Sequence, residues 1–311
     1  MVLVTGATGF VGRHLITELR ARGYAVRALV RRGAVFDMGP KVEICEVGNI
    51  IQTHWPEALQ GVDAIVHLAA IAHRGAPRDE ADARRVRSVN VSAVAELTTA
   101  AAAQSVRRLI LLSSIGVLGA DSGNSAFDGS SPPAPHDFYS QSKLDAERAA
   151  ENAAVDSTLE LCIVRPPLVY GPGAPGNFGR MIRWLDKGTP LPLGAVHNQR
   201  SLISVWNLCD CVITCLSGPG AVGKPLVVAD EETISTTELL RLCARLMERP
   251  ARLLPAPVAL LRLAGSILGR RGDIERLCGS LVVNTRDTYV RTGWRAPKTL
   301  QDELRRALTP R

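Results

Sequence analysis

Thr5-Gly-Ala-Thr-Gly-Phe-Val-Gly12 joins an apolar run, Val2–Thr5, to a segment, Phe10–Arg22, whose apolar residues recur at helical spacing. A strand, a glycine turn and a helix in that order leave the first backbone N–H groups of the helix without partners. Together with the helix dipole those groups form an anion site that suits the pyrophosphate of a dinucleotide. Side chains at the turn would block the approach, so glycine is required there. The triplet Gly6, Gly9, Gly12 carries weight because it follows a strand and opens an amphipathic helix.

Reading outward, strand-like and helical segments alternate. Ala25–Val30, Val42–Val47, Val62–Ala69, Arg108–Ser113 and Leu159–Arg165 read as strands, and Asp82–Gln104 and Tyr139–Ala154 as helices. Short apolar strands separated by helices imply βαβ units with right-handed crossovers, hence a parallel sheet covered on both faces. The expected fold is α/β, a doubly wound parallel sheet over residues 1–165. After Arg165 the texture changes, with Pro166, Pro167, Gly171, Pro172, Gly173, Pro175 and Gly176 marking a loop-rich passage. A smaller, discontinuous lobe is expected over 166–200 and 231–311, with 201–230 returning to the main sheet as strand, helix (Ser201–Ser217) and strand (Lys224–Val228).

Composition agrees. The chain of 311 residues is 46% hydrophobic but only 4% aromatic, so its core must be aliphatic, as strands buried on both faces require. The net charge of +7 comes from scattered pairs, Arg31-Arg32, Arg84-Arg85, Arg107-Arg108, Arg270-Arg271 and Arg305-Arg306. Without interleaved aromatics they read as solvated surface and attraction for small anions, not as a nucleic-acid groove. Cys209, Cys211 and Cys215 lack a second cluster for a zinc site, and no metal is expected. Seven cysteines and the early strand predict reduced thiols, no targeting segment and a cytoplasmic protein. The apolar stretch from Leu253 to Gly269 is broken by Pro255, Pro257 and Arg262. It predicts an amphipathic helix over the smaller lobe, with a membrane-surface position as the alternative and no membrane insertion.

The end of the second strand bears on the dinucleotide. An acidic residue there would bond the ribose hydroxyls of NAD; this chain has Arg31 and Arg32, which would pair with a 2′-phosphate, and Arg13 could join them. NADP is therefore expected, with NAD as the alternative. Tyr139-Ser-Gln-Ser-Lys143 places a phenol and an amine one turn apart on a helix face. The ammonium is expected to lower the phenol pKa, readying it for proton exchange. Ser113-Ser114 closes the fifth strand at the carboxyl edge, where ligands bind in open sheets.

TGATGFVG, HLAA (His67–Ala70), Asn90, LLSS, YSQSK and RPPLVYGPG together resemble the extended short-chain dehydrogenase/reductase family, from residue 4 to about 173. The resemblance implies a Rossmann-type fold with a substrate lobe, and Ser114, Tyr139 and Lys143 as catalytic residues. It implies cofactor contacts from Gly6, Thr8, Gly9, Phe10, Val11, Gly12, Arg31, Arg32, Asn49, Leu68, Ala69, Ala70, Asn90, Tyr139, Lys143 and Pro166. Two positions depart from the family pattern: Leu118 replaces a common Tyr, and Asn49 a common Asp near the adenine. The passage from Gly176 to Leu202 looks like UDP-sugar reductases and epimerases of bacterial surface-polysaccharide synthesis. Asn177 and Arg200 then fall where such enzymes hold the sugar-nucleotide and its diphosphate, with Ser114 on the substrate oxygen. A homodimer is common in the family.

These likenesses imply reduction of the C4 ketone of a UDP-4-keto-6-deoxy-N-acetylhexosamine. The alternative is a UDP-hexose or UDP-N-acetylhexosamine 4-epimerase that keeps NAD bound. Dehydration would need an acid and a base beside the serine, where this chain has Ile115 and Gly116. A reading of another class, a non-catalytic dinucleotide sensor, fits poorly with retention of Tyr139 and Lys143.

Overall fold

In a computed structural model of the chain, residues 1–34, 39, 41–72, 77–269 and 271–309 are described, so that Arg270 of the paired arginines lies outside them. Among the described residues ten strands form: β1 Val2–Thr5, β2 Val26–Arg31, β3 Val42–Val47, β4 Ala64–His67, β5 Arg108–Leu112, β6 Glu160–Arg165, β7 Leu168–Tyr170, β8 Arg200–Ser204, β9 Leu226–Val227 and β10 Thr233–Ile234. Seven of them pair in parallel in the order β3-β2-β1-β4-β5-β6-β9, and three make a smaller sheet, β10-β8-β7. The described helices are α1 Phe10–Ala21, α2 Trp55–Ala58, α3 Glu80–Arg87, α4 Ala93–Ala103, α5 Phe138–Ala154, α6 Gly176–Asp186, α7 Val205–Cys215, α8 Thr236–Leu246, α9 Val258–Ile267, α10 Arg271–Cys278, α11 Arg286–Thr292 and α12 Leu300–Leu308.

Alternate residues of each central strand feed two cores. Val2, Val4, Val66, Ile110 and Val164 pack beneath α1 and α7. Leu3, Ile65 and Leu109 face the other way, onto Trp55 of α2 and Leu97 of α4, while Leu111 and Ile163 meet Ala146 and Ala150 of α5. The period of two along a strand makes this two-sided covering possible. This is the expected doubly wound α/β architecture. A third core gathers Tyr170, Phe178, Met181, Leu202, Leu240 and Leu304 from the smaller sheet and from α6, α8 and α12. Phe10, the first residue of α1, packs against both this core and the one under α1.

Four observations differ from the sequence reading. Strand β8, expected on the main sheet, pairs instead with β7 and β10, because its residues face Tyr170 and the third core. Within 201–230, α7 and β9 do lie on the main sheet. The single helix expected over Asp82–Gln104 is interrupted by a π turn, Ser88–Ser92. Asn90 sits at its centre, bonded to Ile71 and Ser142, and a turn widened by one residue turns that amide toward them.

Arg108 is no solvated residue. It is 2% exposed, bonds Glu160 Oε2 at 2.8 Å, and donates to the carbonyls of Cys215 and Gly218 at 2.6 and 2.9 Å, where α7 ends. A cation at a helix C-terminus meets the negative end of its dipole. Finally, α9 covers the third core with Leu261 and Gly265, but its outer face is apolar instead of polar. No described helix is long and apolar enough to cross a membrane.

Buried Asp230 ties the smaller sheet to α7. It accepts from Tyr170 Oη at 2.8 Å, from Asn207 Nδ2 at 2.7 Å and from the Ser204 amide at 3.2 Å. Burial still raises its pKa to about 6. Tyr170→Phe removes one donor from this carboxylate without changing shape. It is expected to lower unfolding free energy by about 1–3 kcal/mol, as measured by urea titration at neutral pH.

Candidate active site

Strand order reverses between β1 and β4, and in such sheets the ligand crevice lies beyond the carboxyl ends of those strands. The glycine turn sits there. Gly6 has φ +65°, and a Cβ on it would lie 2.8 Å from the Ala69 nitrogen; a Cβ on Gly12 would lie 2.3 Å from the Gly6 carbonyl oxygen. Neither position admits a side chain. Gly9 caps α1 without a side-chain hydrogen bond, and the first turn of the helix carries no acidic residue. Those N–H groups remain available to an anion. This cradle fits the pyrophosphate of a dinucleotide.

The turn is pinned to β4. Thr5 Oγ1 accepts from the amides of Leu68 and Ala69 at 3.2 Å and lies 3.1 Å from His67 Nδ1. With its lone pairs so engaged, the hydroxyl donates to Nδ1, which puts the imidazole proton on Nε2. That nitrogen is buried, with no partner at hydrogen-bond distance among the described residues. Burial, then the charge of Lys143, hold the His67 pKa at about 3, so the ring is neutral.

Helix α5 presents the phenol and the amine. Asp137 caps it through the Ser140 amide at 2.8 Å, and Ser140 Oγ returns a bond to the cap, a reciprocal box that fixes where Tyr139 emerges. Lys143 lies one turn on and is buried. One turn further, Glu147 accepts from Ser113 Oγ and from Arg165 Nε and Nη2, the last two at 3.0 and 2.5 Å. Burial lowers the Lys143 pKa to about 8, opposed by the Glu147 carboxylate. Burial pushes the Tyr139 phenol up to about 12, with the Asp137 carboxylate adding to it. The direction is opposite to the depression expected from Lys143, because burial and the Asp137 carboxylate both disfavour the phenolate.

Ser114 follows β5 and caps a short 3-10 turn, Ile115–Val117, its Oγ accepting from the Gly116 amide at 3.1 Å. Among the described residues nothing accepts its hydrogen. A Cβ on Gly116 would come within 3.3 Å of Ser114 Oγ and 3.4 Å of Ser140 Cβ, so the serine stands beside the first turn of α5. The Pro166 carbonyl holds this turn through the Ile115 amide at 2.9 Å. Strand ends β4, β5 and β6 and the start of α5 therefore converge, bringing together Ser114, Tyr139, Lys143 and Pro166.

The other expected residues lie further out. Arg31 and Arg32 are exposed at the end of β2, and Asn49 is half-buried just after β3. Asn90 gives both amide hydrogens to protein, one to the Ile71 carbonyl at 3.2 Å and one to Ser142 Oγ at 3.0 Å, so it braces the crevice wall and has none left for a cofactor. Asn177, in the first turn of α6, accepts from Arg180 Nη2. Arg200, at the start of β8, is half-buried and donates to the Gly279 carbonyl at 3.2 Å. Burial lowers its pKa, opposed by Asp121. Sequence reading missed Glu147, Arg165 and the Thr5–His67 pair. The four-residue spacing from Lys143 to Glu147 marks the helix face that carries the first of these.

Residues 2–246 match the NAD dependent epimerase/dehydratase family. UDP-glucose 4-epimerase of Vibrio cholerae is 36% identical over 305 residues, which cover 97% of this chain and 92% of that protein. MoeE5, solved in complex with UDP-glucose and NAD, superposes with a TM-score of 0.79 at 25% identity, covering 99% of this chain and 97% of the other. UDP-glucuronic acid 4-epimerase from Bacillus cereus, solved with NAD, shares the fold with a TM-score of 0.81 at 18% identity over 99% and 97% of the two chains. A glycine cradle at the switch point, a Tyr–Lys helix beside it and a match over most of the sequence lead to one assignment: the chain belongs to the NAD dependent epimerase/dehydratase family and is an enzyme of the extended short-chain dehydrogenase/reductase type.

Proposed function

We propose that the chain is a UDP-sugar 4-epimerase that works with a retained NAD. The observation that carries this reading is the near full-length likeness to the Vibrio cholerae UDP-glucose 4-epimerase. The glycine cradle and the convergence of Ser114, Tyr139 and Lys143 support it.

In this reading the backbone from Gly6 to Gly12, including Thr8, Phe10 and Val11, receives the pyrophosphate. Asn49 meets the adenine, Leu68, Ala69 and Ala70 line the crevice, and Pro166 borders the nicotinamide end. What a bound nicotinamide contributes is reversible hydride acceptance. Ser114 donates its free hydrogen to the sugar O4 and so fixes C4 opposite the phenol. With its own proton first lost to solvent against the Lys143 ammonium, the Tyr139 phenolate takes the O4 proton while the C4 hydrogen leaves with its electron pair, and C4 becomes a ketone. The sugar turns, Tyr139 returns the proton to O4, and the hydrogen comes back to the opposite face, inverting C4. Lys143 serves as the cation beside the phenol and against the nicotinamide ribose. Arg200 pairs with the diphosphate and Asn177 with the sugar-nucleotide.

A second reading, NADPH-dependent reduction of a UDP-4-keto sugar, is favoured by one observation. Strand β2 ends in Arg31 with Arg32 next, both exposed, and neither position offers a carboxylate to a ribose 2′-hydroxyl. Purified protein given UDP-glucose and no added cofactor separates the two. Formation of UDP-galactose, read by NMR, supports the epimerase. Absence of that conversion, with NADPH consumed on a UDP-4-keto-6-deoxy-N-acetylhexosamine, supports the reductase.

Tyr139→Phe is expected to lower kcat by about 100-fold or more, the scale of losing a positioned proton-transfer group, while dinucleotide binding persists by fluorescence titration. Turnover is also expected to fall as pH rises through about 8, where Lys143 loses its charge. A neighbouring anion raises a cation's pKa, so Glu147→Gln lowers it and moves this alkaline limb to lower pH. The same change leaves Arg165 buried without its partner, with an expected stability loss of about 3–5 kcal/mol by urea titration.

A further inference from the structure

Helix α9 carries apolar side chains on two sides. Leu261 and Gly265 face the third core. Leu260, Leu263 and Ile267 recur at i, i+3 and i+7 on the outer side and are 58%, 60% and 77% exposed, continued by Leu268 at 72%. A helix apolar all round is normally buried, and large aliphatic side chains this exposed in one row mark an interaction face.

Charge identifies the occupant. Between Glu248 and Asp273 the sequence holds no acidic residue and five arginines, Arg249, Arg252, Arg262, Arg270 and Arg271. Arg252 and Arg262 are exposed on either side of the start of α9 and within it. A second copy seated face to face would bring two such basic sets together, which is repulsive. A surface that accepts leucine and isoleucine at one depth and guanidinium at another is an anionic phospholipid layer. Apolar side chains enter the acyl boundary and arginines reach back to the phosphates.

We propose that α9 docks the protein reversibly on anionic phospholipid, with Leu260, Leu263 and Ile267 as the inserted row. The proposal does not depend on which sugar the enzyme turns over. The test is flotation of the full chain with vesicles of phosphatidylcholine alone and of phosphatidylcholine mixed with phosphatidylglycerol. Flotation is expected only with the second and should weaken as salt is raised. The double variant Leu263→Glu, Ile267→Glu should lower the partition coefficient by about tenfold or more, with unchanged circular dichroism. Should that variant misfold, Arg252→Gln with Arg262→Gln keeps the apolar row and should still weaken flotation and flatten its salt dependence. Three results overturn the proposal: no flotation with either vesicle, undiminished flotation of the folded variants, or a concentration-dependent dimer in sedimentation that Leu263→Glu, Ile267→Glu abolishes while wild-type protein ignores vesicles.

Discussion

Everything in the crevice is referred to one close approach, the backbone of Gly6 against the end of β4. The gap there is smaller than a methyl group needs, and Thr5 closes it with hydrogen bonds to Leu68 and Ala69. This sets the direction in which α1 leaves the sheet, and hence where its free N–H groups point. It also seats His67 beside Lys143. Because Phe10 begins α1 and packs against both the core under α1 and the third core, the same contact relates the large sheet to the small one.

The electrostatics around α5 follow from burial more than from any single pair. Lys143 has lost most of its hydration, and the carboxylate one turn away offsets part of that loss. Glu147 could not lie there uncompensated, since an isolated buried carboxylate is strongly unfavourable. Arg165 and Ser113 meet it, and both stand at strand ends that the sheet holds in place. The phenol is shifted the same way by its surroundings: burial, and then the Asp137 carboxylate, raise its pKa.

The large sheet was legible because its strands are short aliphatic runs separated by helical spacing, and the glycine triplet announces the first turn. The spacing from Tyr139 to Lys143 was legible for the same reason, as a local regularity. What escaped reading depends on partners distant in sequence. Nothing near residue 108 says that its guanidinium ends up capping a helix that finishes at Cys215. Nothing near residue 200 says that its strand leaves the main sheet, because that depends on Tyr170 and the third core. Pairwise charge reasoning at Tyr139 failed similarly, since the magnitude of desolvation comes from all that surrounds the ring.

The π turn at Ser88–Ser92 sets one wide turn between α3 and α4, with Asn90 buried at its centre. Val94, Leu97 and Ala101 of α4 are buried against the sheet, and Ala83 and Val86 of α3 are buried on the other side of the turn. The residue at the join, Asn90, is the one whose amide links the loop after β4 to α5.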